Sequence, residues 1–185
     1  MTKSREKLVS RYVDINHFRR NINGYNEYEG KYFICDGYEA MFIGEIPAGL
    51  KKADEPMSED QIRKLVHNEY PLDPCMANSQ YDHTVDIDDL QSFVKEHGGR
   101  RNQQHMPYYN VGGRKFDAIR LMDMIEIIVQ PGKLFPRTCT VWWDPTSNMS
   151  PLWVWQLTEM SSVVRKGHDN IIAGMLMPCI DIIKK

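Results

Sequence analysis

The sequence has no strong excess of charge of either sign, no closely spaced cysteine pair and no apolar run of membrane length. Lys and Arg number 23 against 25 Asp and Glu, a formal net charge of -2. The global basic footprint of a nucleic-acid binder is therefore missing, and only a local patch could serve that purpose. The four cysteines, Cys35, Cys75, Cys139 and Cys179, are far apart and form no CxxC, which argues against a zinc ribbon. Three sit in apolar strand-like runs, where a free thiol behaves as a small hydrophobe. There is no P-loop, no nucleophile elbow and no HExxH. Gly112-Gly113 alone is a turn signal, not a dinucleotide fingerprint. The first residues, MTKSREKLVS, are charged and lack an apolar signal core, so a cytoplasmic location is expected.

What is present suits an ordinary folded domain. Of the 185 residues, 42% are hydrophobic, enough for a real core, and 26% are charged, enough for solubility. The eleven methionines fit either a plastic core or an adaptable binding surface.

The pattern predicts an α+β chain. Leu8 to Val13 reads as a strand, and Asp14 as the cap of a helix from Ile15 to Ile22. KYFIC (31–35) and YEAMFIGEI (38–46) flank Asp36-Gly37, a strong hairpin signal with both turn residues at positive φ. Ser58 and Gln61 have capping-box spacing ahead of a helix. A short strand spans Thr84 to Ile87, and Asp88 caps a helix through His97. RRNQQH is a polar connector. Beyond it come a strand at Tyr108–Val111, a helix capped by Asp117 and running from 118 to 129, and strands near 138–143, 152–157 and 171–177. The helix buries Ala118, Leu121, Met122 and Ile125, leaving Arg120, Asp123 and Glu126 as exposed positions. The two halves, about 1–99 and 107–185 around a connector at 100–106, then share an order of strand, helix and hairpin. The reading is one domain of two pseudo-repeated helix-plus-antiparallel-sheet units, with helices on one face of a curved sheet.

Three short segments in that order carry a resemblance. KYFICDGYEAMFI is similar to the strand–Asp-Gly–strand segment of bacterial DNA polymerase sliding clamps, and GGRKFDAIRLMDMIEII to the strand-to-helix entry of a clamp repeat. AGMLMPCID resembles the final clamp strand, with Cys179 in place of a second methionine. The resemblance implies a single clamp-like domain of cytoplasmic or phage-related DNA metabolism. Such a domain has no catalytic residues, cofactor or metal of its own. It binds duplex DNA nonspecifically through basic residues on inner helices, and protein or peptide partners in an apolar pocket. His17, Arg19 and Arg20 fit the DNA-facing role; Arg120, Asp123 and Glu126 depart from it.

Other basic candidates for phosphate contact are Arg100, Arg101, Arg114 and Lys115. Each also reads as solvated linker or turn charge. Trp142, Trp143, Trp153 and Trp155 lie on adjacent strands. They fit either a partner-binding surface or cross-strand aromatic pairs. Two rival functions follow. One is a self-associating or peptide-binding adaptor, a homo-oligomer or partner-bound module with no nucleic-acid role. The other is a metal-dependent hydrolase using Asp82, His83 and Asp86, whose rival explanation is a turn followed by a helix cap.

Overall fold

The computed structural model describes residues 3–28, 30–43, 45–66, 82–97, 107–128, 138–142, 152–155 and 172–179. In chain order the elements are α1 (Lys3–Arg11), β1 (Asn26–Tyr28), β2 (Lys31–Cys35), β3 (Glu39–Ile43), α2 (Glu59–Val66), β4 (Asp82–Asp86) and α3 (Ile87–His97). They continue with β5 (Tyr108–Val111), β6 (Arg114–Asp117), α4 (Ala118–Ile128), β7 (Thr138–Trp142), β8 (Leu152–Trp155) and β9 (Ile172–Leu176). The fold is mixed α+β. A seven-stranded sheet runs β1-β2-β3-β9-β8-β7-β4, and β5 and β6 form a separate hairpin. All these strand pairs are antiparallel.

Alternation along the strands divides the core in two. Ile34, Met41, Ile43, Cys139, Val141, Leu152, Val154 and Leu176 pack with α1, α3 and α4 in the larger cluster. Phe33, Cys35, Ala40 and Met175 face the other way, toward Ile22, Met57 and Ile62. Successive strand residues point to opposite faces, so the sheet is covered on both. At Gly174 of β9 a Cβ would stand 2.5 Å from the Met124 sulfur, which shows how closely α4 lies on the strand.

The first half departs from its expected order. Residues 8–11 belong to α1, because Leu8, Val9, Tyr12 and Val13 form one side of a helical turn and its exit, and all four are buried. The expected helix from Ile15 to Ile22 is a run of turns. Asp14 Oδ1 accepts the amide of Asn16, and His17 Nδ1 accepts that of Arg19. Such local side-chain bonds offer the backbone an alternative to helix. The chain therefore starts with a helix, turns and antiparallel strands, whereas the second half starts with the β5–β6 hairpin followed by α4, so the two halves do not share the expected order.

Other boundaries move less. The β2–β3 turn is centred on Gly37-Tyr38, one residue later than the expected Asp36-Gly37. The Asp36 amide donates to the Glu39 carbonyl, and Asp36 Oδ1 accepts from the amides of Tyr38 and Glu39. Gly37, at φ 91°, takes the first central place, where a type II′ turn wants glycine. In α3 the capping carboxylate is Asp86, which accepts from the Asp89 amide, and not Asp88. The segment RKFD, unassigned from sequence, pairs as β6 with β5 across Gly112-Gly113, both at positive φ. The capping box of α2 forms as expected: the Ser58 amide donates to Gln61 Oε1 at 3.0 Å and the Gln61 amide to Ser58 Oγ at 3.3 Å. The connector at 100–106 lies outside the described residues.

Candidate functional site: a polar node beneath an exposed hairpin tip

The start of α4 is fixed by Asp117, whose Oδ1 accepts the amides of Ile119 and Arg120 at 2.9 and 3.1 Å. One turn in, Arg120 points at the β2–β3 tip. Its Nη1 bonds Asp36 Oδ2 and lies 3.2 Å from Glu39 Oε1, while its Nε is 3.8 Å from Asp117 Oδ2. The guanidinium carbon stands 5.6 Å from the ring centroids of both Tyr12 and Tyr38. Cation–π attraction therefore adds to the ion pairs, and one side chain ties α1, α4 and the tip together.

Asp123, one turn further, accepts a 2.6 Å hydrogen bond from the Tyr12 hydroxyl and lies 3.7 Å from Arg11 Nη1. Arg120 and Asp123 are thus not the solvated face expected from the sequence. Asp123 is buried and the Arg120 side chain is only 26% exposed. Of the three, Glu126 alone is exposed. Its carboxyl is still held above the usual range by partial burial and by the Asp123 charge, against the pull of Arg11.

Glu39 is the unusual member. It is 1% exposed, and among the described residues neither carboxyl oxygen has an aligned hydrogen bond. The 3.2 Å approach of Arg120 is an ionic contact without good donor geometry. Burial pushes its pKa up to about 9; Arg120 opposes this, and Asp36, Asp123 and Asp117 add to it. Burial works to lower the Arg120 pKa, but the hydrogen bond and charge of Asp36 and the charge of Glu39 carry it above its ordinary value.

Above the node the surface is aromatic. Phe18 is 81% exposed, Tyr38 66% and Ile15 53%. The His17 ring stacks on Phe18 at 4.7 Å, and the Arg19 guanidinium sits 5.5 Å over the same ring. Arg19 Nη1 also comes within 3.7 Å of where a Cβ on Gly37 would stand. Arg19 therefore spans from Phe18 to the tip that carries Tyr38. This loop is held down by two buried asparagines. Asn23 Nδ2 donates to Asp54 at 2.7 Å and its Oδ1 accepts the Asp54 amide. Asn26 Nδ2 donates to the Asn21 carbonyl, and its Oδ1 accepts the Met57 amide. The Asn23 bond, with Lys51, holds the Asp54 carboxyl below its usual range.

Of the basic residues picked out from sequence, Arg19 stands at the tip, while Arg20 pairs with Glu55 at 3.6 Å. Lys115 is exposed on β6. The chain leaving β9 bonds first to the tip (Met177 amide to Tyr38 carbonyl, 2.9 Å) and then to β6 (Cys179 amide to Lys115 carbonyl, 2.9 Å). That brings the Lys115 backbone close to the tip. Arg114 neighbours it on β6, and Arg100 and Arg101 lie outside the described residues. Trp142 on β7 is registered opposite Trp153 on β8, which also carries Trp155; Trp143 lies outside the described residues.

The Asp82, His83, Asp86 set is divided by its roles. Asp86 caps α3, and the His83 ring packs where a Cβ on Gly112 would fall. Among the described residues no three His, Cys, Asp or Glu side chains stand together as a metal site. Nor, among them, is any helix long and apolar enough to cross a membrane. A helix over 15–22 would put Phe18 on one apolar face with Ile15 and Ile22, so the sequence pattern does not mark that ring as exposed.

No protein-family model matches the chain, and the searches of curated proteins and solved structures return no similar protein.

Proposed function

We propose that this chain is a non-catalytic recognition module, a clamp-like component of DNA metabolism in the sense its sequence resemblance implies, working through protein contact at the β2–β3 tip. The observation that carries this reading is the joint exposure of Phe18 and Tyr38, linked by Arg19. Large aromatics left in water beside a cation are the composition of a binding hot spot. The carboxylates of the node, Asp36, Asp123 and Glu39, are engaged by Arg120 and Tyr12 or sealed from solvent.

The test is site-directed photo-crosslinking in the source cells, with a photoreactive phenylalanine analogue at position 18 and, as control, at the exposed Lys95 of α3. A discrete protein adduct from position 18, absent from position 95 and lost on Arg19→Glu, is the expected result. The same adducts from both positions would overturn the reading.

A second reading, weak duplex contact, is favoured by Arg19 at the tip and Lys115 near it. Labelled duplex DNA should then bind with a steep salt dependence that Arg19→Glu and Lys115→Glu reduce. No binding at low salt removes DNA from the proposal.

A further inference from the structure

Among the described residues, the tip rests on an arrangement with fewer cations than carboxyl groups. Around the Arg120 guanidinium lie Asp36 from the β2–β3 turn, Glu39 from β3 and Asp117 from the start of α4. Asp123 of α4 stands a turn away, held by Tyr12 and Arg11 of α1 and its exit. Four carboxyl groups thus meet two guanidinium groups, and Arg11 is half exposed. Among the described residues Glu39 has no aligned donor, and it has almost no contact with solvent. A buried anion without hydrogen bonds is costly, and the cheapest relief is a proton.

We propose that Glu39 is a proton-operated latch on the hairpin tip. With its carboxyl protonated, Arg120 is left to Asp36, and Asp36 in turn holds the tip through the amides of Tyr38 and Glu39. Tyr38 then lies over the guanidinium and presents its outer side to solvent. When Glu39 loses the proton to hydroxide or buffer, a second buried anion competes for the same Nη1. Either Asp36 gives up its bond or Glu39 swings outward, and both movements free the turn. No covalent bond changes; only a proton leaves. The burial-driven rise of the Glu39 pKa to about 9 places the transition on the alkaline side of neutrality. The latch would regulate the surface assigned above to partner binding, and it rests on that reading only for its consequence; the movement itself is a property of the free protein.

Carbon-detected NMR of the unliganded, full-length chain tests it by following the side-chain carboxyl carbons of Glu39 and Asp36 with pH. The Tyr38→Phe form serves as a second sample, so that phenol ionisation cannot mimic the change. Glu39 should inflect near pH 9, Asp36 should shift in the same window, and Glu39→Gln should abolish the Asp36 shift. A Glu39 inflection in the ordinary carboxylate range overturns the proposal. So does an Asp36 signal that stays still while Glu39 titrates. Because no partner is present, either failure leaves the crosslinking result to stand or fall separately.

Discussion

The hydroxyl of Tyr12 donates a 2.6 Å hydrogen bond to Asp123, a residue 111 positions later in the chain. This bond fastens the exit of α1 to the middle of α4, across the apolar contact that the two helices share. Replacing Tyr12 by Phe keeps the ring and removes the donor. The buried Asp123 carboxylate then loses this donor and keeps its 3.7 Å contact with Arg11. A loss of about 1–3 kcal/mol in urea denaturation is expected. Tyr108→Phe, at a 43% exposed ring, should change stability by less than about 0.5 kcal/mol.

Arg120→Met should cost more, about 3 kcal/mol or above, because it leaves Asp36 and Asp117 without their cation and removes the surface on which Tyr12 and Tyr38 rest. Denaturant midpoints at fixed pH measure this. Arg120→Lys should recover only part of the loss, since an ammonium cannot reach several carboxylates while lying between two rings.

Gly24→Ala tests the seating of the loop that carries Phe18. A Cβ there would stand 2.5 Å from both the Lys51 carbonyl oxygen and the Ala53 amide nitrogen. Backbone cannot yield as a flexible side chain can, so a loss of about 1–3 kcal/mol is expected in thermal or urea unfolding.

Phe18→Ala should separate recognition from folding. The ring is 81% exposed, so unfolding free energy should stay within about 0.5 kcal/mol of the parent. Crosslinking from position 38, at the neighbouring tip, should fall sharply in the same variant. A stability loss without a crosslinking loss would assign Phe18 to the fold.

Much of the architecture was legible in the sequence because local chemistry and long-range packing agree there. The Ser58–Gln61 capping box, the Asp117 cap, the glycine-marked β2–β3 hairpin and the apolar stripe of α4 each have a local physical cause. In the first 25 residues those levels conflict. β-branched and aromatic residues at 8–13 suggested a strand, yet their spacing also fits one side of a helix, and packing against α4 decided it. At 15–22 helical spacing was present, but Asp14 and His17 bonded nearby amides and broke the run. The node was illegible for another reason. Nothing in the order of residues says that Asp36, Glu39 and Arg120 meet, and an Arg and two acidic residues at three-residue spacing normally mark a solvated helix face.

The pH dependence of stability is the most direct test of this node. In the folded chain burial holds the Glu39 carboxyl protonated up to about pH 9, whereas an unfolded chain releases the proton near the ordinary 4.5. The folded state therefore binds more protons between those limits. Its stability is full below the unfolded value and falls as pH rises toward the folded one, by up to ~1.4 kcal/mol per pH unit from this group. Urea denaturation of the wild-type protein and Glu39→Gln, run in parallel across that window, should give curves that diverge steadily, the wild type losing ground to the variant as pH rises. Two curves that stay parallel would contradict the account, because Glu39 would then be ionising alike in the folded and unfolded chains.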